Sequence, residues 1–326
     1  MSTTRARTRL VVECAAVVLA CACVLSANVR EQDRGPLTDR PTTSFLRVGF
    51  VDAVFGEVNH NDARAALKAW SQRVIAAAGL AFEGDVKLFG DSAALKAAVD
   101  AGAIDIIVIE TAEYLRVFTQ TSRRDWILAA ERRGTPFESF VLLTRVDSGI
   151  RQFKDLRGRD VLVVGNALGG LVGSWLDVLT GKEGDRIAAE FFGVINKRTQ
   201  VSKAVLPVFF RQAAACVVTR AAYQTMCELN PQLGHQLRIV AESAPVVTGI
   251  ACLVRHYDPK VQDRIEQAVL NLNVSPGGQQ VMTLFQFDKL VRQPPTCLDS
   301  ARSLLEEQSR QYVRLKRAAP GAGVAK

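Results

Sequence analysis

The sequence predicts an α/β protein made of two sheet-and-helix units followed by a helical C-terminal region. Three features carry that reading. Apolar strand-like runs alternate with stretches of helical spacing from Leu46 onward. The connections are short, with Asn, Asp and Gly standing where helix caps are wanted. A second alternation restarts at "FKDLRGRDVLVVG", beginning at Phe153. Strands that alternate with helices imply parallel pairing, with crossover helices covering the sheet.

The first unit opens with "LRVGFV" (46–51) as a strand. A helix over 61–79 follows from apolar positions at Ala63, Leu67, Trp70 and Val74, with Asn61 or Asp62 as N-cap and Gly79 as C-cap. "DVKLFG" (85–90) is a short strand, "DSAALKAAVDAG" (91–102) a helix capped at Asp91 and Ser92 and ended by Gly102, and "IDIIVIE" (104–110) a buried strand. "WILAAER" (126–132) and "ESFVLLTRV" (138–146) add two apolar runs. The second unit continues through a helix at 171–181, a strand and helix within 214–229, and two strands within 236–255. The remainder reads as helix at 257–273, 276–286 and 297–317, and the tail 316–326 as disordered.

Residues 1–27 stand apart. Arg5, Arg7 and Arg9 precede an apolar run from Leu10 to Ala27 broken only by Glu13, the pattern of a secretory signal peptide. Three fates stay open. Cleavage could follow Leu25-Ser26-Ala27, and Val18-Leu19-Ala20-Cys21 is a loose lipobox in which Cys21 would carry lipid. Left uncleaved, about 18 apolar residues just span a bilayer. Each places the protein outside the cytoplasm. Residues 28–44, polar with two prolines, read as a linker.

Composition narrows the function classes. Of 326 residues, 48% are hydrophobic and 23% charged, so a packed globular protein is expected. The net charge of +8 falls to about +6 without Arg5, Arg7, Arg9 and Glu13. No basic run is interleaved with aromatics, so this charge reads as solvated surface and nucleic acid is not an expected partner. Cys216, Cys227, Cys252 and Cys297 remain after residue 27, none in a Cys-x-x-Cys pair, and the chain has three His. No zinc site, other metal site or cofactor is expected. One or two disulfides are compatible with an oxidising compartment, although Cys216 and Cys252 lie in apolar runs that read as core.

Catalytic patterns are scarce. His60, His235 and His256 have no carboxylate or nucleophile at a recognised spacing. Ser174 falls inside a helix without the G-x-S-x-G turn. No enzyme is read here. Binding features are clearer. Gly165, Gly169 and Gly170 lie where a strand passes into a helix, so outward backbone amides and the helix dipole would favour an anion. "GNALGG" matches neither G-x-G-x-x-G nor a P-loop, which excludes a nucleotide fingerprint. A tight turn for close helix–sheet packing remains the alternative. In open α/β sheets ligands sit beyond the carboxyl ends of strands. There the first unit offers Asp52 and Phe55, then Glu110, Thr111 and Tyr114. Glu110 reads either as a helix cap or as a contact for a cationic group, and Tyr114 either as core or as a ligand face.

Taken together, "DIIVIETAEYL", "FKDLRGRDVLVV", "AVLPVFFRQAAACVVTRAAYQTMCELNPQLGHQLRIVAESAP" and "DPKVQDRIEQAVLNL" resemble the periplasmic phosphate/phosphite/phosphonate-binding proteins of ABC importers, nearest the divergent PhnD-like branch. The resemblance covers roughly residues 45–290. It implies a type II periplasmic binding fold: two α/β lobes, joined by two crossover strands, closing on a ligand by hinge bending. Lobe one would hold 45–145 plus 248–315 and lobe two 146–247, with "FVLLTRVDSG" and "VTGIACLV" as hinge strands. The implied function is an extracytoplasmic, monomeric solute-binding protein that delivers a small oxyanion to an ABC permease. A sensor of a membrane partner and an enzyme on the same scaffold are the alternatives. The ligand set would be Asp52, Phe55, Glu110, Thr111, Tyr114, Asn166, Ala167, Leu168, Gly169 and Gly170. In the family the second loop is Ser/Thr-rich, whereas Asn166-Ala167-Leu168-Gly169-Gly170 keeps only backbone amides. "FFRQAAACVVT" carries Ala214 where relatives have an acid that would pair with a ligand amine.

Overall fold

The computed structural model describes residues 44–52, 60–77, 82–118, 127–164, 170–184, 187–254, 257–274, 276–285 and 287–318. The strands are β1 (Ser44–Val51), β2 (Phe82–Phe89), β3 (Ile106–Glu110), β4 (Ile127–Glu131), β5 (Phe140–Arg145), β6 (Val161–Val164), β7 (Ile195–Arg198), β8 (Ala215–Thr219), β9 (Leu237–Glu242), β10 (Gly249–Leu253) and β11 (Lys289–Gln293). The helices are α1 (His60–Ala77), α2 (Ser92–Asp100), α3 (Thr111–Val117), α4 (Leu171–Lys182), α5 (Ala188–Phe191), α6 (Val201–Phe209), α7 (Arg220–Leu229), α8 (Pro231–Gln236), α9 (Pro259–Leu270), α10 (Pro276–Phe285) and α11 (Asp299–Ala318).

Two sheets form. The first has the order β11-β4-β10-β3-β1-β2, the second β7-β6-β8-β5-β9. In each, the first strands of the unit pair in parallel: β1 with β2 and β3, β6 with β7 and β8. Antiparallel strands then extend the sheet through β10 and β5. β5 is buried from Phe140 to Thr144, as expected of a strand covered on both faces. A buried ion pair fastens β1 to the entry of β3. Asp105, fully enclosed, accepts from Arg47 N at 2.7 Å, Nε at 3.0 Å and an η-nitrogen at 2.9 Å.

Local signals explain the helix ends. The Asp91 side chain accepts from Ala94 N at 2.7 Å, capping α2, and Gly102, with φ of +67°, ends it. Asn61 and Asp62, expected as N-caps, lie inside α1, which starts at His60. Gly79 is outside the described residues. β11, and likewise α6 and β7, form in stretches where no element was expected. α11 runs to Ala318, so 316–318 are helical and not part of a disordered tail.

The chain crosses between sheets at two adjacent points. Glu138 and Val246 form an isolated antiparallel bridge, with mutual backbone hydrogen bonds of 2.8 and 2.9 Å. The segments expected as hinge strands, 140–149 and 247–254, instead supply β5 to the second sheet and β10 to the first. Their apolar content is explained by that burial. The crossing lies just before each.

α11 makes a third link. It follows a 3₁₀ turn (Pro295–Leu298) whose Cys297 and Leu298 are buried in the core of the first sheet. Its own Ala301, Leu304 and Leu305 pack into the core that contains Trp175, Leu176 and Phe140. Cys216 and Cys252 are core residues at 0% and 3% exposure, and all four described cysteines are free thiols. Burial drives the Cys252 thiol up to about 12. Cys21 and the apolar run before it are outside the described residues. No helix among the described residues is long and apolar enough to cross a membrane.

Candidate functional site

The parallel strands and the helices that follow them define one end of each sheet. In the first, Phe50 of β1 lies opposite Val108 of β3, which brings Asp52 and Glu110 to the same edge. Asp91, just after β2, ends at that edge too. In the second sheet the corresponding edge carries Gly170 after β6 and Thr219 at the end of β8. Arg116 of α3 donates to Ser174 Oγ of α4 at 3.4 Å, and Ala112, Leu171 and Trp175 share one core cluster. The helix that begins at Glu110 and the helix that begins at Gly170 are therefore neighbours, drawn from different sheets.

Four expected ligand residues fall at this junction. Glu110 occupies the N-cap position of α3 but its side chain makes no cap hydrogen bond, so the capping reading is not realised. Thr111 is fully buried; its amide donates to Thr248 O at 3.0 Å, while Oγ1 has no hydrogen-bond partner among the described residues. Tyr114 is 7% exposed and stacks on Phe118 with centroids 5.8 Å apart, which realises the core reading of its ring. Gly170 is the N-cap of α4, with no side-chain cap, and its carbonyl accepts from Ser174 N at 3.2 Å. α4 presents at the junction the N-terminus of a 12-residue helix without a side-chain cap among the described residues. Asp52 is half-buried at the end of β1. Phe55, Asn166, Ala167, Leu168 and Gly169 lie outside the described residues.

The electrostatics are asymmetric. On the first-sheet side stand Asp52, Asp91, Glu110 and Glu113, all carboxylates. Burial pushes Glu113 above the usual carboxylate range; nearby Arg116 opposes the shift and Asp91 adds to it. Its Oε2 is enclosed without a hydrogen-bond partner among the described residues. The second-sheet side offers the start of α4 and no described carboxylate at that helix N-terminus.

Glu113, Arg132, Glu138 and Thr219 were not singled out in the sequence. Glu138, 7% exposed, sits on the crossing segment; burial raises it, while Arg132 and a hydrogen bond from Thr219 favour its charged form. Burial lowers Arg132, and the charges of Glu138 and Asp288 counter that. A carboxylate directly before an apolar strand, in "ESFVLLT", was the available signal. Ala214 lies immediately before β8, at the sheet end opposite Thr219, in a surface depression with Arg145, Arg159 and Arg211. An acid at that position would not face the junction. Among the described residues no group of three or more His, Cys, Asp or Glu is placed to hold a metal ion. Ser174 is buried in α4 and its hydroxyl donates to Gln308 Oε1 at 2.9 Å.

Comparison with known proteins follows this geometry. A family model described as ABC transporter, phosphonate, periplasmic substrate-binding protein matches residues 59–294. No curated protein sequence matches. Among solved structures, XAC2383 from Xanthomonas citri bound to ATP is similar with a TM-score of 0.56 at 17% identity, covering 84% of this chain and 99% of that one. A binding protein component of an ABC phosphonate transporter from Pseudomonas aeruginosa has a TM-score of 0.56 at 12% identity, covering 86% and 91%. PhnD1 from Prochlorococcus marinus in complex with methylphosphonate has a TM-score of 0.56 at 10% identity, covering 82% and 99%. The fold is the two-lobed type II periplasmic binding architecture.

Proposed function

Because the chain belongs to the family of periplasmic substrate-binding proteins of phosphonate ABC transporters, we propose that it closes its lobes on a phosphate-, phosphite- or phosphonate-like oxyanion and presents it to an ABC permease. Its role is solute binding outside the cytoplasm. The observation that carries the ligand reading is the meeting of two helix starts from different lobes: among the described residues the α4 N-terminus has no side-chain cap, and the enclosed Thr111 hydroxyl beside the other start has no hydrogen-bond partner. Backbone amides at a helix start suit an oxyanion. The carboxylates of Asp52, Glu110 and Glu113 on the facing lobe suit a cationic group at the ligand's other end.

The lobes of this proposal are 45–139 with 247–298, and 140–246, with α11 crossing between them. Asn166, Ala167, Leu168, Gly169 and Phe55, which lie outside the described residues, belong to the proposed ligand set on the sequence alone. The protein acts as a monomer and carries out no chemistry on its ligand, and residues 1–27 direct export or anchor the chain.

Thermal shift tests the reading. Phosphate, phosphite and methylphosphonate at millimolar concentration should raise Tm in proportion to RT ln(1 + [L]/Kd), and an aminoalkylphosphonate should do so at lower concentration. Gly170→Pro removes an amide at the loop and should weaken every oxyanion. Stabilisation by a different solute class alone, or unchanged oxyanion affinity in a folded Gly170→Pro variant, would move the site elsewhere.

A further inference from the structure

The two faces of the first sheet are covered unevenly. On the face toward α2 and α3, Ile107, Ile109, Ile250 and Cys252 are 0–3% exposed. On the face toward α1, α9 and α10, Val48, Phe50 and Leu128 are buried, whereas Val86, Leu88, Ile106, Val108 and Ala251 are only partly so. Three helices lie over that face, yet they do not close on all of it. Between sheet and helices is a cavity of about 360 Å³. Native cores rarely leave voids larger than a water, whose share of liquid volume is about 30 Å³. Small-molecule sites begin at about 300 Å³.

The residue pattern shapes this space. Ala130 and Ala251 form its floor, while Ile106, Val108 and Leu290 stand higher on either side. Leu67, Ile265, Val269 and Val281 form the roof from three helices. Charged groups are confined to the two ends. Glu110 and Arg132 stand where the strands run toward the other lobe, and Arg132 is already engaged with Glu138. Toward the other end Glu266 is ion-paired with Arg292, and Gln262 donates to Tyr257 O at 2.8 Å. Among the described residues, the long walls offer no polar side chain. Lengthwise the cavity follows β3 from Ile106 to Glu110, roughly 13 Å at the usual rise per residue.

We propose that this cavity is a second binding site, for an unbranched aliphatic chain of medium length. It adjoins the oxyanion site between the lobes at Glu110 but is distinct from it: the chain would lie along β3 and β10 under α1, α9 and α10. An apolar-walled cavity takes up apolar guests of matching shape. Alkyl chains reach such a site as free alcohols, as fatty acids or as the tail of an alkylphosphonate, and only the chain is read by the walls.

The test uses the purified protein, with decanol, decanoate, decylphosphonate and methylphosphonate as probes in calorimetry and thermal shift. Decanol should bind. Ala251→Leu and, independently, Val269→Phe should fill the cavity and weaken decanol at least tenfold while methylphosphonate affinity is unchanged. Gly170→Pro should do the reverse. Equal binding of decanol and decanoate assigns recognition to the chain; tighter binding of decylphosphonate than of either shows that one ligand can reach both sites. Absence of decanol binding, or undiminished binding in both filled variants when they fold, overturns the proposal. In that case a retained methylphosphonate response leaves the oxyanion reading standing, and its loss with decanol binding intact overturns only that reading.

Discussion

The Tyr312 hydroxyl donates to Asp177 Oδ2 across 2.6 Å, tying the C-terminal helix α11 to α4. Asp177, 9% exposed, also accepts from Gln308 Nε2 at 2.7 Å and, through Oδ1, from Ala188 N at 2.8 Å. Burial first, and then the neighbouring Asp177, raise the Tyr312 phenol to about 12. One carboxylate thus caps α5 and holds two residues of α11.

Removing either partner should have unequal costs. Tyr312→Phe loses one hydrogen bond at a half-open position and should cost about 1 kcal/mol. Asp177→Ala removes the acceptor of three donors, of which the Ala188 amide is buried and the Gln308 amide half-buried, and should cost about 3 kcal/mol. Urea unfolding of both variants checks the ratio; equal costs would show that the carboxylate's other two bonds contribute nothing.

Gly181 and Gln311 give a second probe of the same interface. A Cβ built on Gly181 would come within 2.1 Å of the Gln311 side chain, which is 2% exposed. Alanine is a better helix former than glycine by about 1 kcal/mol, yet Gly181→Ala should destabilise by about 1–3 kcal/mol through overpacking. Adding Gln311→Ala should restore much of that loss. A double-mutant cycle with no coupling would contradict the close approach.

Thr111→Val separates ligand binding from folding. The hydroxyl is enclosed and makes no hydrogen bond among the described residues, and an unpaired buried polar group costs about 1–3 kcal/mol. The nearly isosteric valine should therefore leave stability unchanged or raise it by about 1 kcal/mol. Methylphosphonate affinity should fall about tenfold. Calorimetry together with urea unfolding reads both effects, and destabilisation by the valine would show that the hydroxyl serves the fold.

Glu138 predicts a pH dependence. Its folded-state pKa is raised by burial. A raised carboxylate contributes stability that is full below the unfolded-state value and is lost as pH rises through the folded one. Glu113 acts in the same direction. Unfolding midpoints measured from about pH 4 to about pH 7 should fall across the range above the ordinary carboxylate pKa. Glu138→Gln should flatten that fall; an unchanged slope would place its origin at Glu113 or elsewhere.

Elements that declare themselves locally were legible in the sequence. β3, buried on alternating positions and ended by Glu110, is one; α2, bracketed by Asp91 and Gly102, is another. β11 was not, because "KLVRQ" is a charged edge strand whose only partner, β4, is more than a hundred residues away. α6 was hidden by Pro207 inside it, tolerated close to the helix end. The rule that ligands sit at strand ends pointed to Glu110, Thr111, Tyr114 and Gly170, which the structure brings to the junction of the two sheets. It did not point to Glu113, Glu138 or Arg132. Their significance comes from being buried beside groups distant in sequence, and one-dimensional spacing does not encode that. Burial accounts for the apolar content of β5 and β10, and the chain passes between the sheets at Glu138 and Val246, where the two segments share a single bridge.

The path of α11 has a mechanical consequence. Two adjacent crossings, by themselves, allow the lobes both to bend and to twist about the narrow waist they form. A rigid rod rooted beside Leu298 in one lobe and bonded along Asp177 in the other resists the twist and leaves the bend. The molecule then has a single soft coordinate, and whatever enters between the lobes meets two surfaces that return to the same alignment on every stroke.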